Sequence, residues 1–132
     1  MASGKAADAV FGVTIPSTAR KLRELFYMAH FIHSHIAHFY ALAAPDFVVG
    51  PKAKPEERNI LGVIAKVGKE IGTEVIKQRR LAQEIQALLG GHQTHVVMNI
   101  PGGVRKGLTE EQRADIEGKA KGFIDFAKFS LN

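Results

Sequence analysis

Residues 17–44 read STARKLRELFYMAHFIHSHIAHFYALAA. Pro16 and Ser17 are good helix-entry residues, and Pro45 disfavours helix at the residue before it. Nothing between them is Gly or Pro, so the stretch predicts one helix over 17–44, about 40 Å long at the usual rise per residue. Its first turns are basic and amphipathic through Arg20, Lys21 and Arg23, but between Glu24 and Asp46 there is no Lys, Arg, Asp or Glu. An uncharged run of that length fits either a membrane span or a helix buried inside a protein. His30, His33, His35 and His38 favour burial, because imidazoles near a bilayer centre are expensive and no aromatic-and-basic flanks support insertion.

Working outward, a short helix is expected at Ala2 to Phe11, and Asp46 to Pro55 is a connector rich in turn residues, with Gly50-Pro51 inside it. Helical stretches follow at Glu56 to Val67 and Lys69 to Leu89. In the second, Ile71, Val75, Ile76, Leu81, Ile85, Leu88 and Leu89 fall mostly at three-to-four spacing. Gly90-Gly91 should end it. The segment 90–108 is an irregular glycine-rich loop in which Val96-Val97-Met98 suggests a short strand and Pro101-Gly102-Gly103 a turn. Thr109 with Gln112 makes a capping box, and Glu110 and Glu111 suit the positive end of a helix dipole. The last helix is expected from Glu110 to near Ser130, burying Ile116, Ala120, Phe123, Ile124 and Ala127. The fold class is therefore all-α, with about five helices around a long buried central helix at 17–44.

Composition narrows the chemistry. The 132 residues are 45% hydrophobic and 23% charged, too apolar for a disordered tail. With no cysteine there is no disulfide scaffold, thiolate metal site or cysteine nucleophile within the chain. Eighteen Lys and Arg against thirteen Asp and Glu give +5, scattered rather than blocked, which is no nucleic-acid footprint. Met1 to Ile15 has no apolar core of signal-peptide length, so the expected compartment is the cytoplasm.

The histidines are the obvious candidates for chemistry. Taking His30 as zero and about 100° per residue, His38 falls near 80°, His35 near 140° and His33 near 300°. All four cannot converge on one ion, though His30 with His33 and His35 with His38 form pairs at three-residue spacing. The Glu of a zincin motif and the carboxylates of a bundle di-iron site are missing around them. Each histidine is thus either a hydrogen-bonded structural residue or half of a metal pair. Pro101-Gly102-Gly103 lacks the frame of a phosphate loop, and the serines lack nucleophile-elbow context.

Several segments, in order, resemble one family. They are Lys5 to Val13 (KAADAVFGV), Leu22 to Leu25 (LREL), Ile32 to Phe47 (IHSHIAHFYALAAPDF), Gly50-Pro51, Arg58 to Val63 (RNILGV), Gln83 to Ile85, Gly90-Gly91, His95 and Pro101 to Val104. Together they resemble the large subunit of nickel-iron hydrogenases. The His33-Ser34-His35 form and Ala43-Ala44-Pro45-Asp46 point to the cytoplasmic, methyl-viologen-reducing branch that supplies electrons to heterodisulfide reductase.

The resemblance implies heterolytic splitting of dihydrogen at a nickel-iron centre, with electrons leaving through an iron-sulfur small subunit. The family holds that centre with two Cys-x-x-Cys pairs, one near each end of a longer subunit. Neither pair is present, so 1–132 is expected to be one internal segment of that subunit, inactive alone and carrying no catalytic residue, metal ligand or cofactor of its own. His95, in a Gly-Gly-x-x-x-His pattern, corresponds to a histidine that faces the small subunit near its closest cluster, although Val96 replaces the proline commonly found after it. Ser34 stands where uptake-type relatives carry an Asp close to the metals, so that acid-base role is lost, and His33 and His35 flank it. A helix stripped of neighbouring segments should expose apolar surface, which implies a homo-oligomer or domain swap. The competing reading is a stand-alone helical protein-interaction module without redox activity.

Overall fold

In a computed structural model, residues 1–131 are described. The elements are α1 (Ala2–Val10), α2 (Ser17–Ala37), two π-helical segments (His38–Ala43 and Pro45–Val49), α3 (Ile60–Val67), α4 (Lys69–Gly90), a hairpin of β1 (Asn99–Ile100) and β2 (Gly103–Val104), and α5 (Glu110–Leu131). The all-α expectation holds, the hairpin being the only sheet among the described residues. No helix among them is long and apolar enough to cross a membrane. The chain divides into two compact units, one of residues 1–30 with 82 onward, the other of residues 31–81.

In the first unit the start of α2 buries Ala19, Leu22, Arg23, Phe26 and Ala29, a stripe at helical spacing. Ala82, Ile85 and Leu89 of α4, Met98 of the loop and Ile116, Phe123 and Phe126 of α5 complete the core. The last turn of α4 lies close to α2, for a Cβ on Gly90 would stand 2.9 Å from Phe26 Cε2. Gly91, at φ 85°, ends α4 as expected, in a conformation that costs other residues energy. The capping box also forms: Thr109 Oγ1 accepts from the Gln112 N–H at 3.2 Å while Gln112 Oε1 accepts from the Thr109 N–H at 3.1 Å. The inward face of α5 is different from the expected one. Ala120, Ile124 and Ala127 are exposed, and Phe126 takes their place, so the buried stripe lies further round the helix.

The second unit carries the larger corrections. The helix expected to stop at Ala44 runs on to Val49, and from His38 it widens to π geometry, in which each N–H reaches back five residues. The Ala44 N–H donates to Phe39 O, and the Gly50 N–H to Pro45 O at 3.2 Å. Pro45 is accommodated as the first residue of the second π-helical segment, and the helix ends instead at Gly50, whose φ is 113°. Nor is the expected central helix buried all round: Phe31, Phe39 and Leu42 are exposed in this unit, as Tyr27 and Met28 are in the first. The helix expected from Glu56 starts only at Ile60, because Asn59 is its cap, accepting through Oδ1 from the N–H groups of Leu61 at 2.9 Å and Gly62 at 3.2 Å. On α4, Ile76 points to solvent, while Gln78 is buried and donates to Glu74 Oε1 at 2.6 Å.

Candidate functional site

The most constrained polar group of the first unit joins three elements that are far apart in sequence. Arg23, only 5% exposed, pairs through Nη1 with Asp8 Oδ2. Its Nη2 also donates to Ile100 O at 3.1 Å and Gly103 O at 2.8 Å, and reaches Asp8 Oδ1 at 3.3 Å. Asp8 Oδ1 accepts in turn from the Gly102 N–H at 2.9 Å. A planar guanidinium can serve a carboxylate and two carbonyls at once because its donors are held in a fixed fork. The Arg23 hydrogen bond, followed by the Gly102 N–H, holds the Asp8 carboxyl below the ordinary carboxylate range.

Local sequence explains how the pair meets. Gly4 and Asp8 are four residues apart on α1 and share a face. At Gly4 there is no room for a side chain, since a Cβ would lie 2.9 Å from Asn99 Nδ2, so α1 seats directly on β1. The hairpin that receives the ion pair is tight, with Asn99 opposite Val104, Ile100 opposite Gly103, and Gly102 at φ 81° in the turn. The strand expected at Val96-Val97-Met98 is therefore displaced to 99–100, where Pro101-Gly102 can close a turn. Arg23, expected among the basic residues of the amphipathic first turns of the helix, is buried. The signal available was its place among Ala19, Leu22 and Phe26, a lone charge within an apolar stripe. A cleft of ≈ 620 Å³ opens beside the pair, lined in part by Lys5, Arg20, Glu24 and Tyr27.

His95 stands in the same unit, on the loop between α4 and the hairpin. It is exposed and has φ 56°, the only non-glycine residue in the left-handed region among those described. The loop is tied back where the Val97 N–H donates to Gly90 O at 3.0 Å, and the Arg105 N–H donates to Met98 O at 2.9 Å beyond the hairpin. His92 is exposed on the same loop.

The other sequence-predicted residues belong to the second unit. His33, Ser34 and His35 lie on the last turns of α2; His33 is half-buried with both ring nitrogens shielded from solvent, whereas Ser34 and His35 are exposed. His35 Nδ1 donates to Phe31 O at 2.8 Å, a bond within its own helix. His30, at the edge of the first unit, is 3.3 Å through Nδ1 from Nε2 of the buried Gln86. Among the described residues no three of His, Cys, Asp and Glu gather in a group able to hold a metal ion.

Three comparisons bear on this arrangement. The sequence profile of the family described as nickel-dependent hydrogenase matches residues 1–69. The chain is 49% identical over 128 residues to a vhu subunit of the F420-non-reducing hydrogenase of Methanocaldococcus jannaschii, with 97% of this chain and 30% of that protein covered. It is 45% identical over 130 residues to an iron-sulfur subunit of the F420-non-reducing hydrogenase of Archaeoglobus profundus, covering 98% of this chain and 27% of that one. Among solved structures, an NAD+-reducing NiFe hydrogenase in the H2-reduced state superposes with a TM-score of 0.87 at 32% identity, over 97% of this chain and 28% of that chain. The Ni-Fe-Se hydrogenase from D. vulgaris Hildenborough gives 0.71 at 31% identity, over 89% of this chain and 26% of that chain. The chain thus spans less than a third of the length of these relatives.

Proposed function

The chain belongs to the nickel-dependent hydrogenase family, and on that premise we propose that it works as a scaffold segment of a hydrogenase large subunit, in an enzyme that reversibly oxidises dihydrogen and passes electrons to an iron-sulfur small subunit. The observation that carries this reading is the agreement of nearly the whole chain, 97% of it at a TM-score of 0.87, with part of a NiFe hydrogenase. The likeness to F420-non-reducing subunits supports the viologen-reducing branch, working in the cytoplasm.

Nickel and iron at low potential need soft thiolate ligands. The chain has no cysteine, and its described histidines and carboxylates form no cluster, so its side chains do not fit as the ligand set of a nickel-iron centre. No ligand and no chemical step is assigned to them. In this reading His33, Ser34 and His35 border the metal-bearing site of the full enzyme. The shielded ring of His33 suits orienting a neighbouring group, and the Ser34 hydroxyl cannot replace a carboxylate as a base at neutral pH. His95 faces the small subunit, for which an exposed side chain on a tied-back loop is suited. By itself the chain is inactive, and its exposed apolar residues favour association with other copies.

A graft tests the proposal. Residues 1–132 replace the matching segment of the M. jannaschii protein, and hydrogen-dependent viologen reduction is measured in the assembled enzyme. Retained activity is expected, with none from the chain alone. A graft that folds, receives its metals and reduces no viologen would overturn the scaffold role.

A further inference from the structure

We infer that the Asp8–Arg23 pair is a positioning device for the loop that carries His95, fixing the surface this loop presents to a partner protein. The partner's identity rests on the reading given under Proposed function; the positioning does not. The guanidinium directs its Nη donors to Asp8, Ile100 O and Gly103 O, and the carboxylate Oδ1 accepts from the Gly102 N–H. Both sides of the hairpin and its turn are therefore held by one ion pair based on α1 and α2. At the other end the loop is fixed by the Val97 N–H on Gly90 O, with Met98 buried between the two anchorages.

The segment that leads from α4 to the hairpin has little structure of its own. Residues 91–98 form no helix or strand, and 91–97 are all exposed. The strands hold only two residues each, too few for a hairpin to persist unaided. His95 also sits in a backbone conformation that L-residues avoid, which persists only when the surroundings enforce it. A lysine at 23 would keep the charge but lacks the forked donors, so geometry and charge can be separated.

The test is amide hydrogen exchange on the whole 132-residue chain, comparing the native protein with Arg23→Lys, Asp8→Asn and the paired apolar replacement Asp8→Leu with Arg23→Met. The last variant keeps the site filled if a single buried charge prevents folding. Expected is exchange about tenfold faster or more at Val97, Gly102 and Arg105 in all three, with α5 amides within about twofold of native. Loosening shared evenly by α5 would reduce the pair to a general stabiliser and overturn the inference, as would Arg23→Lys matching the native hairpin. In the grafted enzyme, Arg23→Lys and His95→Ala should both weaken small-subunit retention. If His95→Ala leaves retention intact, the partner reading fails, while the exchange result still decides the positioning.

Discussion

Gly90 meets the Phe26 ring so closely that a Cβ at position 90 would stand 2.9 Å from Phe26 Cε2 and 2.9 Å from Val96 Cγ1. Alanine would gain about 1 kcal/mol of helix propensity, but forcing a methyl against packed side chains costs about 1–3 kcal/mol. Phe26 is buried and has little room to turn aside, so the steric cost wins. Gly90→Ala should lose about 1 kcal/mol net, seen as a lower urea midpoint with unchanged slope; a midpoint equal to or above native would refute the contact.

Gly118 and Gly122 give the opposite case. Both lie inside α5 with nothing within 4 Å of an added Cβ and no positive φ. Each Gly→Ala change should stabilise by about 0.5–1 kcal/mol through helix propensity and a less free unfolded chain. Thermal unfolding of the double variant should move up by several degrees; a fall would mean that this face of α5 is not open.

Acid should reach the hairpin late. The folded-state pKa of Asp8 lies below its ordinary value because of Arg23 and the Gly102 N–H. The stabilisation is therefore complete above the unfolded carboxylate pKa of about 3.9 and disappears as pH falls through the lower folded value. The amide resonance of Gly102 should be constant from neutral pH to about 5 and move with a midpoint below about 3.9. A midpoint at or above that figure would mean the carboxylate is not held by the guanidinium.

Self-association should depend on Phe47 and Leu61, which are 84% and 72% exposed. Phe47→Asp with Leu61→Lys should lower the mass found by light scattering and the fluorescence of a hydrophobic dye. A native chain that stays monomeric at every concentration would contradict the association itself.

The elements whose boundaries were legible in sequence have local causes. Thr109 and Gln112 complete each other across one turn, and Gly91 is the residue that needs its own backbone freedom, so α5 began and α4 ended where expected. Asn59 caps α3 equally locally, but a helical reading begun at Glu56 passes over it. The Asp8–Arg23 pair had no such signature. Its partners are 15 residues apart, and the carbonyls it serves are 77 and 80 residues from Arg23, so nothing near either residue in sequence announces it. The buried face of α5 failed for a related reason: periodicity gives the spacing of a stripe, while the packing of neighbours chooses Phe126 over Ile124. The roles of His33, Ser34, His35 and His95 came from family resemblance, and their geometry on this chain alone assigns no chemistry.

The widening of the helix after Ala37 changes which residues are neighbours on its surface. Along an α-helix, Leu42 and Phe47 would be turned about 140° from one another. With N–H groups reaching back five residues, positions five apart come onto the same side. Leu42 and Phe47, both strongly exposed, thereby face more nearly the same way. A straight α-helix of the same composition would set the two side chains wider apart, so the pitch of the backbone, as much as the choice of side chains, decides which apolar groups this surface presents together.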